Sequence, residues 1–133
     1  MYIEEDYVSF EVAKLLKEKG FDEKCSYEWG VTDTDGGYIL QKWSIYNGEI
    51  RNSELINDAY AAPTHQMAMK WLREIHKINI DIKSRWKLNP YKLDYYYFVL
   101  HYKNVPSDSF IIKFDSYEET VEAALKYTLE NLI

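Results

Sequence analysis

Ile80-Asp-Ile-Lys-Ser-Arg-Trp-Lys87 and Tyr95-Tyr-Tyr-Phe-Val-Leu-His-Tyr102 are the two stretches on which the fold turns. In the first, Ile80, Ile82 and Trp86 alternate with Asp81, Lys83, Arg85 and Lys87, the period of two that marks a half-buried strand. In the second, Tyr96, Phe98 and Leu100 alternate with Tyr95, Tyr97 and His101. Joined through Leu88–Asp94, the two form a hairpin. Its inward face carries Ile80, Ile82 and Trp86 with Tyr96, Phe98 and Leu100. Its outward face carries Lys83, Arg85 and Lys87 beside Tyr95, Tyr97 and His101.

Upstream of the hairpin, Thr64 follows Ala61-Ala62-Pro63 and opens a helix that the spacing carries to about Lys77. Met67, Ala68, Trp71, Leu72, Ile75 and Ile78 share one arc of that helix, with Gln66, Lys70, Arg73, Glu74 and Lys77 opposite. Downstream, Phe110–Phe114 reads as a closing strand. Ser116 and Glu119 then form a capping-box start for a helix with Tyr117, Val121, Leu125, Thr128, Leu129 and Leu132 as its stripe. Nearer the N-terminus, Ser9 caps a helix over 9–19. Gly20 closes it in a position that favours left-handed backbone, and Phe21 can fold back onto Leu16. Between the first two helices, Ser26–Thr32 and Tyr38–Tyr46 flank Asp33-Thr-Asp-Gly-Gly37 as a second hairpin. Asn47-Gly48 marks a turn into a short strand at Glu49–Asn52. Residues 53–63 have no period and read as loop.

The element order is helix, strands, helix, strands, helix. Short consecutive strands pair antiparallel, with helices on the covered side. The expected fold is α+β: one domain over 1–133, an antiparallel sheet with three helices packed on one face as a two-layer sandwich. The two helix-plus-hairpin stretches are loosely alike, Ser9 matching Thr64 and Trp29 matching Trp86, without a residue-by-residue repeat. The 133 residues are 47% hydrophobic and 29% charged, enough to bury a core without a metal or a disulfide. The longest apolar run, Tyr95 to Leu100, is far too short to span a bilayer, and the acidic Glu4-Glu5-Asp6 start is unlike a secretory signal. No membrane association is expected, and one cysteine, Cys25, suits a reducing cytoplasm.

Charge is unevenly spread. The chain carries a net −6, yet residues 70–92 hold Lys70, Arg73, Lys77, Lys83, Arg85, Lys87 and Lys92 against Glu74 and Asp81. One basic block in an acidic chain points to an anionic partner. Catalytic motifs are missing. His65 and His76 are eleven residues apart on one helix, roughly 16 Å and too far to share a metal. Asp33-Thr-Asp-Gly36 puts Val31 and Lys42 at the ends of a calcium-loop frame, where carboxylates are required. No phosphate loop or nucleophile elbow occurs, so no catalytic residue, metal or cofactor is expected. The chain reads as a non-enzyme. His65 is the best candidate for a small-molecule or catalytic site, on the expectation that it stands at an exposed helix N-terminus.

The thirteen tyrosines and four tryptophans bring aromatics to 17% of the chain. Aromatics interleaved with cations are how single strands of nucleic acid are bound, and also how protein interfaces and open sheets are dressed. Lys83, Arg85, Lys87, Tyr95 and Tyr97 are accordingly the binding candidates. Three further stretches carry a resemblance: Val8-Ser-Phe-Glu-Val-Ala-Lys-Leu-Leu-Lys-Glu-Lys-Gly-Phe-Asp-Glu23, Ala62-Pro-Thr-His-Gln-Met-Ala-Met-Lys-Trp-Leu-Arg-Glu-Ile-His76 and Ser116-Tyr-Glu-Glu-Thr-Val-Glu-Ala-Ala-Leu-Lys-Tyr127 with the Leu129–Ile133 tail. They resemble a group of small uncharacterised proteins of gut Bacteroidales and their phages and prophages. The resemblance implies a cytoplasmic, phage-related accessory protein and brings no activity. The expected role is a binding or adaptor module acting through a protein partner or as a homodimer. The alternative is a single-stranded nucleic-acid-binding accessory protein that uses the hairpin at 80–102.

Overall fold

Ser9 Oγ accepts a hydrogen bond from the Val12 amide at 3.2 Å and starts helix α1, Phe10–Glu18. Gly20 takes φ +93°, and the Phe21 amide returns to the Leu16 carbonyl at 2.9 Å, which closes the helix and buries Phe21. The computed structural model of the chain describes residues 3–32, 36–43, 48–103, 105–106 and 112–133, and three α-helices and six β-strands lie among them. The class is α+β. The residues divide into two compact units, 1–67 with Ile133, and 68–132.

In the first unit, β1 (Tyr27–Val31) lies between β2 (Tyr38–Lys42) and β3 (Tyr60–Ala61), all antiparallel, with Trp29 opposite both Leu40 and Tyr60. The rings of Tyr38, Tyr60 and Trp29 gather on Phe10 of α1, with centroids 4.0, 5.5 and 6.3 Å from it. Trp29 Nε1 donates to the Val8 carbonyl at 3.0 Å, so the indole is both packed and hydrogen-bonded. The aperiodic segment before β3 is held by polar ties. Buried Asn52 donates to the Phe21 carbonyl and accepts from the Ala61 amide, both at 2.8 Å. Lys17 Nζ donates to the carbonyls of Ile56 and Ala59 at 3.0 and 2.8 Å.

Helix α2, His65–Ile75, starts at Thr64, whose Oγ1 accepts from the Met67 amide at 3.1 Å. In the second unit β4 (Ile78–Leu88) and β5 (Tyr91–Tyr102) form a long hairpin with β6 (Val105–Pro106) beside β5. Helix α3, Tyr117–Asn131, is capped by Ser116 Oγ, which accepts from the Glu119 amide at 3.1 Å. Its Val121, Ala124, Leu125 and Leu129 are buried, as are Ile78, Ile80, Phe98 and Leu100 of the hairpin. Tyr96 meets Tyr117 edge-on at 6.1 Å, which places α3 over the even-numbered face of β4 and β5.

Several expectations need correction. The strands form two sheets rather than one. Helix α2 ends at Ile75, two residues short of Lys77, because Lys77 takes φ +59° and Ile78 already begins β4. Its buried residues are His65, Ala68, Met69, Trp71 and Leu72, while Met67 is exposed and Ile75 is 60% exposed. Tyr117 is exposed at the start of α3. Tyr60–Ala61, within the supposed loop, is a strand because β1 pairs with it. Phe114 does pair with the hairpin, through a bridge to Tyr96. The expected turn at 33–35, the end of the second strand with Asn47, and Phe110–Ile111 fall outside the described residues.

Candidate functional site in the β4–β5 hairpin

The register puts Ile80 opposite Leu100, Ile82 opposite Phe98, Lys83 opposite Tyr97 and Arg85 opposite Tyr95. Four of the expected binding residues therefore share one face as two cation–tyrosine rungs, on the side of the sheet away from α3. The Tyr95 and Tyr97 rings lie 6.0 Å apart. A further cation joins them that the sequence pattern did not mark. Lys113, next to the Phe114 bridge partner of Tyr96, places Nζ 4.8 Å from the centre of the Tyr95 ring.

Lys87 departs from the set. Between the Arg85–Tyr95 and Trp86–Leu93 pairs the register shifts, which leaves Asp94 as an extra residue on β5. Lys87 Nζ lies 3.7 Å from the Asp94 carboxylate, so its charge is locally balanced. At the opposite end of the face, Asp81 is held by His101 at 2.8 Å and by Asn79 at 3.1 Å. Lys83, Arg85 and Lys113 make no ion pair among the described residues.

The other side of the hairpin explains why Trp86 is not inward. Helix α3 has 15 residues and β4 has 11. At their respective rises these are about 22 Å and about 36 Å long, so the strands outrun any helix laid along them by roughly four residues each. Trp86, Leu88 and Tyr91 occupy that excess and are 45%, 84% and 71% exposed. Trp86 stacks on Tyr91 with centroids 5.3 Å apart and planes 14° apart, and its Nε1 donates to Ser84 Oγ at 3.1 Å. The turn between the strands is Asn89–Pro90.

His65 does not stand where the sequence suggested. It is 5% exposed, and its backbone amide donates to the Asp6 carbonyl at 2.8 Å. An isolated bridge between Tyr7 and Thr64 lies beside this first turn, and the burial removes the exposure for which His65 was singled out. A cleft of 310 Å³ is lined by its neighbours Pro63, Thr64 and Met67 together with Glu5, Lys24 and Glu49, and His65 is not part of its wall. Cys25 reaches that cleft but is buried, and burial first, then Glu23 and Glu49, pushes its thiol up to about 12. At neutral pH the thiol is protonated and is no nucleophile.

No group of three or more metal-ligating side chains occurs among the described residues, and no helix among them is long and apolar enough to cross a membrane. Set against protein-family models, curated proteins and solved structures, the chain matches none.

Proposed function

We propose that this protein is a non-catalytic binding module of the cytoplasm that acts through a protein partner, with the outer end of the β4–β5 hairpin as its contact element. The observation that supports this reading is the exposed cluster of Trp86, Leu88 and Tyr91 on strands that extend past their helix. Tryptophan and tyrosine are the side chains that most often carry binding energy in interfaces. Here the two are already stacked, so little rotamer freedom remains to be lost on docking. Arg85 and Lys92 adjoin Trp86 and Tyr91 in sequence and favour a partner with an acidic rim. Lys83 and Arg85 disfavour a homodimer built edge to edge on β4, since they would then approach their own copies.

The test compares nuclease-treated lysate captured on the wild-type protein and on Leu88→Asp, with sedimentation velocity of the purified protein alongside. The expected result is a monomer that retains a protein partner, with at least a tenfold loss of that partner in Leu88→Asp. Identical capture by both proteins, or a wild-type dimer that Leu88→Asp dissolves, would overturn the reading.

A further inference from the structure

We infer that the opposite face of the same hairpin, built from Lys83, Arg85, Lys113, Tyr95 and Tyr97, binds single-stranded nucleic acid, so that the arm carries two surfaces of different chemistry. Charge complementarity selects the occupant. In a chain of net −6, three cations from two separate segments converge on this one face without an acidic partner among the described residues. The nearby carboxylates are engaged elsewhere: Asp81 with His101 and Asn79, Asp94 with Lys87. What remains is a local positive surface, screened over about 10 Å at about 0.1 M salt and over longer distances below that, which suits an anionic ligand.

The aromatics make a polynucleotide a better fit than an acidic protein segment. Lys83 stands opposite Tyr97 and Arg85 opposite Tyr95, so phosphate-seeking and base-stacking groups recur together every second residue along the strands. An extended single strand presents charge and flat π-faces in the same alternation, and every base can stack, so recognition tolerates sequence. Lys113 lies over Tyr95, while Tyr97 has no cation over its ring among the described residues, which makes Tyr97 the stacking site and Tyr95 its cationic neighbour. A duplex hides its base faces, so it offers this surface its charge and nothing to stack on.

The experiment is a fluorescence-anisotropy titration of a labelled oligo-dT and oligo-rU with the full chain at low salt, repeated at rising salt. Three phosphate contacts predict a log–log salt slope of about −2, at about 0.7 per contact. Lys83→Gln/Arg85→Gln should weaken binding at least tenfold, and Tyr97→Ala about fivefold, the lower end of one lost stack. Lys14→Gln/Lys70→Gln, the same charge change on exposed helix positions, should alter it less than threefold. The glutamine variants remove the charge but keep a flexible polar side chain at exposed positions, and a thermal melt checks their fold. No binding at about 100 µM protein would overturn the inference. So would equal losses in both glutamine pairs, equal affinity for a duplex of the same length, or equal competition by polyglutamate of matched charge. Each of these outcomes is independent of Leu88→Asp, so failure here leaves the protein-partner reading to its own test.

Discussion

Around β1 and β2 the rings of Trp29, Tyr38 and Tyr60 converge on Phe10 of α1, whereas in β4 and β5 Trp86 stacks on Tyr91 at the exposed end and Tyr95 meets Tyr97 and a lysine. Residue type is the same in both regions, and so is strand geometry. The difference is what lies across from each ring. β1 and β2 are five residues each, while the second hairpin is more than twice as long. Even around Phe10 the rings differ, Tyr60 being buried and Tyr38 37% exposed. An aromatic residue on a strand is therefore buried only as far as other elements pack on it, and its sequence neighbours say nothing of how far.

Stability measurements can break that comparison. Tyr60→Ala removes a buried ring packed on Phe10 and should cost about 3 kcal/mol. Tyr91→Ala removes an equal ring from the hairpin end and should cost about half a kcal/mol or less. Denaturant midpoints for the pair settle the matter, and equal midpoints would mean that the two regions do not differ as described. An effect of the next size concerns Cys25. Because its folded pKa lies above the ordinary 9.0, at about 12, the neutral thiol contributes stability that is complete below pH 9 and is lost as pH rises through 9 to 12. The unfolding free energy of the wild type should therefore fall more steeply over that window than that of Cys25→Ala. Parallel curves would show that the thiol is not buried.

Lys17→Ala should cost about 1 kcal/mol, since it removes the two donated bonds that hold the segment before β3 and leaves partly exposed carbonyls that water can serve. Its pKa is lowered by burial, with Asp58 acting in the opposite direction. The smallest effect is expected from Lys83→Gln/Arg85→Gln, whose side chains are exposed: a change within about half a kcal/mol by thermal melt.

The caps and the strand period were legible because each is local. Ser9, Thr64 and Ser116 satisfy amides three residues on, and Ile80 to Lys87 alternates by the pleat alone. Lys83, Arg85, Tyr95 and Tyr97 could be placed on one face by that same alternation. Lys113 could not, because it arrives through a single bridge at Phe114 with no periodic run around it. Nor could the Asp94 bulge, which takes Lys87 out of the free set, or the strand at Tyr60–Ala61, which exists through its partner β1. His65 read as exposed from its place in a first turn, whereas it is buried next to contacts from the N-terminal segment, the Tyr7–Thr64 bridge and the Asp6 carbonyl, that no local window contains. The split into two sheets is likewise a matter of long-range pairing, which no window of local sequence contains.

The most direct test of the account is the thermal unfolding midpoint of the double variant Trp86→Ala/Leu88→Asp. Losing two large apolar side chains from a core would cost several kcal/mol and lower the midpoint by about 10 °C or more. If the outer end of the hairpin is a surface held out for a partner, the midpoint should stay within about 3 °C of the wild type. A drop of 10 °C would place Trp86 and Leu88 in the core and contradict the account.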